Sequence, residues 1–210
     1  ISPEAKPPKM ELFVLALMTA TGVYALKSSQ QRKRIALLGS HLSQYQIEKL
    51  METLSDGYLR ALGEKDAARR EQVWTLLATS EAQLCSQFSR FVAEFAKVDE
   101  VSTRVSKIPV AVPFANQLLP AATFDVRKVF AVHAKGLAQA AQNTDGRSPR
   151  DKAFTMSAEL YLMQHTCHWF CKSKTVASAR LMARHKTTYE QVLASVAPGT
   201  RDAYRALVGA

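Results

Sequence analysis

The chain is predicted to be all-α, and three observations carry that prediction. Alanine, leucine, glutamine, lysine and arginine are abundant while alternating β-branched runs are scarce. Apolar side chains recur in steps of three and four over most of the length. Apolar residues make up 47% of the 210, with eight glycines and eight prolines, which is the composition of a folded chain and not a disordered one. This length buries one sizeable core, or a core with an appendage. The expected order is an N-terminal apolar (membrane-anchor) helix with its tail and basic flank (1–34), a long helical hairpin (35–98), a proline-containing apolar linker (99–120) and a C-terminal helical bundle (121–210).

The first element is the uncharged run Leu12 to Leu26, "LFVLALMTATGVYAL", preceded by Glu11 and followed by "KSSQQRKR". Fifteen helical residues span about 22 Å against a hydrocarbon core of roughly 30 Å. Met10 at one end and a snorkelling Lys27 at the other narrow the gap. A membrane anchor is the reading that also explains the basic cluster. Lys27, Arg32, Lys33 and Arg34 outnumber Lys6 and Lys9, so they become the cytoplasmic, anionic-surface contact. Two other readings compete. Val23 and Ala25 are small enough for a signal-peptide cleavage site, although the basic residues just beyond it oppose export. The run would also suit the buried core helix of a soluble protein.

Over residues 32–62, Leu38, Leu42, Tyr45, Ile47, Leu50, Leu54, Tyr58 and Leu62 form one helical stripe closed by Gly63, with no proline to separate it from the anchor. A second helix is expected from about Asp66 to Val98, where Leu77, Leu84, Phe88, Phe91, Phe95 and Val98 keep a coiled-coil-like spacing interrupted by Glu81. The short "GEKD" between them predicts an antiparallel hairpin. Pro109, Pro113 and Pro120 prevent residues 99–120 from being helical throughout, and their apolar content predicts a segment packed across a surface.

Helix three is expected from Thr123 as N-cap to Gln142. After the turn "NTDGRS", Ser148-Pro149-Arg150-Asp151 starts another helix. With no glycine or proline before Pro198, that helix is expected to reach about Lys186, roughly 57 Å. Thr187 to Glu190 has capping-box spacing for a restart, and a last short helix follows Thr200.

The net charge of +10 is unevenly placed: +4 over residues 1–34, −3 over 35–100 and +9 over 101–210. Such surpluses suit lipid headgroups, nucleic acid or an acidic protein surface. Three cysteines, an odd number, do not make a disulfide framework, and reduced thiols are the simple account. The chemically densest stretch is "HTCHWFCKSK" at 165–174. Cys167, His168 and Cys171 lie within about 100° of one another on a helix, and His165 lies about 160° from Cys167, so all four cannot meet at one ion. The three are the candidate metal ligands. The competing and favoured reading is packing, because Met156, Leu160, Met163, Cys167, Phe170 and Cys171 form a stripe. No cofactor is expected, and no glycine-rich phosphate loop or hydrolase elbow is present in the sequence.

Arg180 and His185, separated by four residues, resemble the ribonuclease motif of the HEPN family, which is all-helical. The resemblance covers these two residues, and Leu181 stands where the family has a polar residue. It implies catalysis of RNA cleavage by Arg180 and His185, with such pairs meeting from two protomers. Arg34 with His41 and Arg127 with His133 have similar spacing. From Leu160 to Tyr189 there is no acid, while Lys172, Lys174, Arg180, Arg184 and Lys186 supply positive charge without an interleaved aromatic platform.

The expected function is that of a non-enzymatic, membrane-anchored helical scaffold or adaptor subunit of a larger assembly. It is single-pass, with its body cytoplasmic, and is held to other subunits or to copies of itself through residues 10–62. The alternative is a basic helical nucleic-acid-binding protein with HEPN-like ribonuclease activity.

Overall fold

The structure is a computed structural model that describes residues 8–111 and 113–209. Lys6, counted above on the far side of the anchor, lies outside them. Ten helices and one two-stranded sheet are described, with 80% of the chain helical and 3% in strands, so the fold is all-α.

Helix α1 (Pro8–Leu42) runs from the apolar segment through the basic flank and onto the body without a break. The stripe expected as one helix over 32–62 is cut at residues 43–46, where the Gln46 N–H donates to Gln87 Oε1 at 2.6 Å. The hairpin is therefore α2 (Ile47–Gly63) with α3 (Ala67–Phe95). Gly57 lets these two helices approach closely, because a Cβ there would collide with the Leu77 side chain. Asp66 caps α3 by accepting from the Arg69 N–H at 2.8 Å. Glu81, the interruption in the seam, is buried and paired: Tyr58 donates to Oε1 at 2.7 Å and Lys152 donates to Oε2.

The proline-rich segment holds α4 (Glu100–Thr103), β1 (Arg104–Ser106) and α5 (Ala115–Leu118). Strand β1 pairs antiparallel with β2 (Thr123–Asp125), Val105 opposite Phe124. Thr123 is thus a strand residue and not an N-cap. That role falls to Asp125, whose Oδ1 accepts from the Arg127 N–H at 3.0 Å. Three-residue strands are too short to carry a period-two signal.

Helix α6 (Val126–Gln142) ends at Asn143 in the left-handed conformation, and α7 (Pro149–Cys171) starts from Ser148 as N-cap. The expected single helix to Lys186 is broken at Lys172-Ser173. Ser173 accepts from the Val176 N–H and starts α8 (Lys174–His185). The capping box lies one residue later than expected, Thr188 with Gln191, at the start of α9 (Tyr189–Ser195). Helix α10 (Pro198–Val208) begins at Pro198, slightly before Thr200.

A chain of aromatic contacts joins the hairpin to the C-terminal helices. Phe88, Phe91 and Phe95 of α3 meet Phe130 of α6 edge to face at 6.4, 5.4 and 5.4 Å, and Phe95 meets Phe170 of α7 at 6.0 Å. One hydrophobic core runs from Leu38 to Val208. Residues 35–98 and 121–210 therefore share a single interior.

Candidate functional site

The core closes without the first half of α1. Leu12, Phe13, Leu15, Leu17, Met18 and Tyr24 are all more than half exposed, and Leu38 is the first apolar side chain of the helix to be buried. The most apolar eighteen-residue window has no part buried, and the helix is long and apolar enough to cross a membrane. The core-helix reading of this run is thereby overturned: within this fold nothing covers it. Its two threonine hydroxyls are satisfied internally, Thr19 donating to the Leu15 carbonyl and Thr21 to the Leu17 carbonyl, each at 2.8 Å. A polar group inside hydrocarbon requires such a bond.

The basic flank divides by helical face. Arg32 and Lys33 are exposed. Arg34 turns inward: its Nη2 donates to the Arg104 carbonyl at 2.7 Å and its guanidinium lies 5.6 Å from the Phe170 ring centroid. Burial lowers its pKa, partly offset by Cys171. Arg34 therefore acts as a clasp between α1 and the body, which withdraws it from the expected anionic-surface contact. Lys27, with Gln30, Gln31 and Arg34, lines a narrow cleft of about 20 Å³ against Ser106, Ile108, Val110, Trp169 and Lys172. Lys172 Nζ donates to Gln31 Oε1 at 3.2 Å across it.

The "HTCHWFCKSK" stretch runs from the end of α7 to the start of α8, and its polar members are spread over several different surroundings. His165 Nε2 is 3.1 Å from Ser178 Oγ, with its ring stacked on Tyr189 at 4.7 Å. Trp169 Nε1 donates to the Ser106 carbonyl at 3.0 Å. Cys167 and Cys171 sit half-buried against the core. Burial pushes the Cys171 thiol up to about 11 and raises Cys167 as well, so neither is poised as a thiolate. Among the described residues no group of three or more His, Cys, Asp or Glu side chains is arranged to hold a metal ion.

Arg180 and His185 are likewise separated by partner. Arg180 Nη1 donates to His168 Nδ1 at 3.0 Å. His185 Nε2 lies 2.8 Å from Gln164 Oε1, and its ring stacks on Tyr161 at 3.8 Å. Burial, and then Arg184, lowers the His185 pKa. A base for RNA cleavage needs a free ring nitrogen beside the reacting hydroxyl. Here Nε2 is engaged and the ring face is covered within the protomer.

A cluster that the sequence did not reveal lies where α6, α7 and α10 meet. Glu159 is fully buried, and its Oε1 accepts from the Ala197 N–H at 3.0 Å. Burial pushes its carboxyl up to about 7, against the downward pull of Thr200 and the Ala197 N–H. His133 Nε2 pairs with Thr166 Oγ1 at 2.8 Å, and burial with His165 nearby lowers its pKa to about 3. The only cue was one acid, Glu159, between Ala158 and Leu160 in an apolar stripe. Glu159 and His133 are both wholly buried, so the cluster reads as a polar keystone of the core.

Comparison with known protein families, with characterised proteins and with solved structures gives no match, so function is argued from the chain's own residues.

Proposed function

We propose that this chain is a non-enzymatic, membrane-anchored helical scaffold or adaptor subunit of a larger assembly, single-pass, with its body in the cytoplasm. The observation that carries the reading is the wholly exposed apolar half of α1 set against a core that is complete without it. Seventeen residues from Met10 to Leu26 rise about 25 Å, short of the bilayer core by roughly 5 Å. Association with other spans relieves such a mismatch. Arg32 and Lys33, exposed just past the span, support placing the body on the cytoplasmic side. Leu59 and Leu62 of α2 are exposed apolar residues that suit a partner subunit or a second copy.

Carbonate washing of membranes carrying the full chain tests the anchor: retention in the pellet is expected, and full release refutes it. Native mass spectrometry in mild detergent tests the assembly, and a lone monomer at physiological concentration refutes that part. Recovery of bound RNA or DNA that dissociates steeply with salt would instead favour the basic nucleic-acid-binding alternative.

A further inference from the structure

The linker between β1 and β2 has the wrong side out for a protein in water. Val110, Leu118 and Leu119 are 58%, 68% and 45% exposed, and Phe114 is also exposed. The segment is nonetheless pinned in place. Thr175 donates its N–H and its hydroxyl to the Pro109 carbonyl at 3.1 and 2.9 Å, and the Phe114 N–H donates to Gln30 Oε1 at 3.3 Å. Phe114 is held at φ 54°, a left-handed conformation that costs a bulky residue about 1–2 kcal/mol. Such strain persists only where surrounding contacts impose it.

Position supplies the meaning. Gln30 is four residues past Leu26, so Phe114 lies about 6 Å along the helix axis from the end of the apolar run. That is the depth of the headgroup region if the run spans a bilayer. Charge agrees with position. From Val101 to Phe124 the chain has no acid, while Lys107 and the cleft residues Lys27 and Lys172 are basic. An apolar ridge beside a basic cleft, continuous with a hydrophobic span, complements acyl chains and anionic headgroups together.

We propose that residues 108–111 and 113–119 form a second membrane contact, seated in the interface at the foot of α1, with Lys27 and Lys172 receiving anionic lipid headgroups. The proposal rests on the anchor reading of α1. In it the body is held against the membrane at two places, which fixes its orientation instead of leaving it to swing on a single helix.

The test uses the full chain in vesicles of phosphatidylcholine with and without phosphatidylserine, some lipids carrying a nitroxide quencher at a shallow acyl position and others at a deep one. Leu118→Cys, Leu17→Cys and, in the exposed turn between α2 and α3, Lys65→Cys are each labelled briefly at pH 7 with an environment-sensitive fluorophore. The native thiols are half-buried and react slowly, and unsubstituted protein supplies the blank. Expected are blue-shifted, quenched emission at positions 17 and 118 and neither at 65. The shift at 118 should grow with phosphatidylserine and lose that growth in Lys27→Gln/Lys172→Gln. Quenching at 17 without quenching at 118 overturns the proposal and leaves the anchor intact. Quenching at neither position overturns both. A blue shift at 118 that persists in detergent without lipid and is insensitive to the quencher assigns the ridge to protein and overturns the lipid contact.

Discussion

Replacing Glu159 with glutamine should stabilise this protein at pH 8 and leave it nearly unchanged at pH 4.5. The buried carboxyl titrates at about 7 in the folded chain against 4.5 for the free side chain. An acid whose pKa is raised binds its proton more tightly when folded, so its contribution is fully present below pH 4.5. That contribution is lost progressively as pH rises through 7. Two and a half pH units at about 1.4 kcal/mol each set the loss at about 3 kcal/mol. Glutamine keeps an oxygen for the Ala197 N–H and offers an N–H in place of the carboxyl proton. Thr200 Oγ1 and Glu159 Oε2 lie together beside Gly136, so the amide N–H has an acceptor at hand. The variant should therefore gain up to about 3 kcal/mol at pH 8, or roughly 6–12 °C in Tm for a chain of this size. Urea unfolding of both proteins in detergent, at half-unit steps from pH 4.5 to 8, measures the difference curve. The buried histidines cancel in that difference because both proteins carry them. Parallel curves, or a gap that opens toward acid, would refute the reasoning.

Three other outcomes follow from the same interior and its clasp. Burial, with Lys174 and His168 nearby, holds His165 down at about 3. The unfolded chain therefore binds more protons below pH 6.5, and stability should fall as pH drops from 6.5 toward 3; in His165→Gln that acid limb should be visibly shallower in urea midpoints. Gly136→Ala places a methyl group against Thr200 and Glu159, where neither can withdraw to solvent, and should cost about 1–3 kcal/mol by thermal unfolding. Arg34→Met removes a donor from the Arg104 carbonyl and should cost about 1.5–3 kcal/mol. Faster amide exchange in residues 27–42 and β1 should accompany it, with α6 unchanged.

Periodicity and composition, both local properties, made the helices legible in the sequence. The apolar run that exceeds any core requirement, the stripe of α2, the aromatic seam of α3, and Ser148-Pro149 at the start of α7 all report through spacing or capping chemistry. What escaped was decided by contacts between residues far apart in the chain. The break at Lys172-Ser173 rests on one serine cap, a weak signal inside a strong helical pattern. The β1–β2 pair exists because residues 104–106 and 123–125 meet across the linker. Arg34 looked like its neighbours Arg32 and Lys33, and only the carbonyl of Arg104, seventy residues on, turns it from a surface charge into a clasp. The suggestive chemistry of Cys167, His168, Cys171, Arg180 and His185 was likewise a matter of residue type. Which atoms face each other depends on helix rotation and packing: here His168 pairs with Arg180, His185 with Gln164, and the two thiols pack against the core. The sequence alone thus determined which segments are helical and which is apolar enough for a membrane. The tertiary structure alone decided that this segment stays uncovered, since exposure is a property of what the rest of the chain packs against.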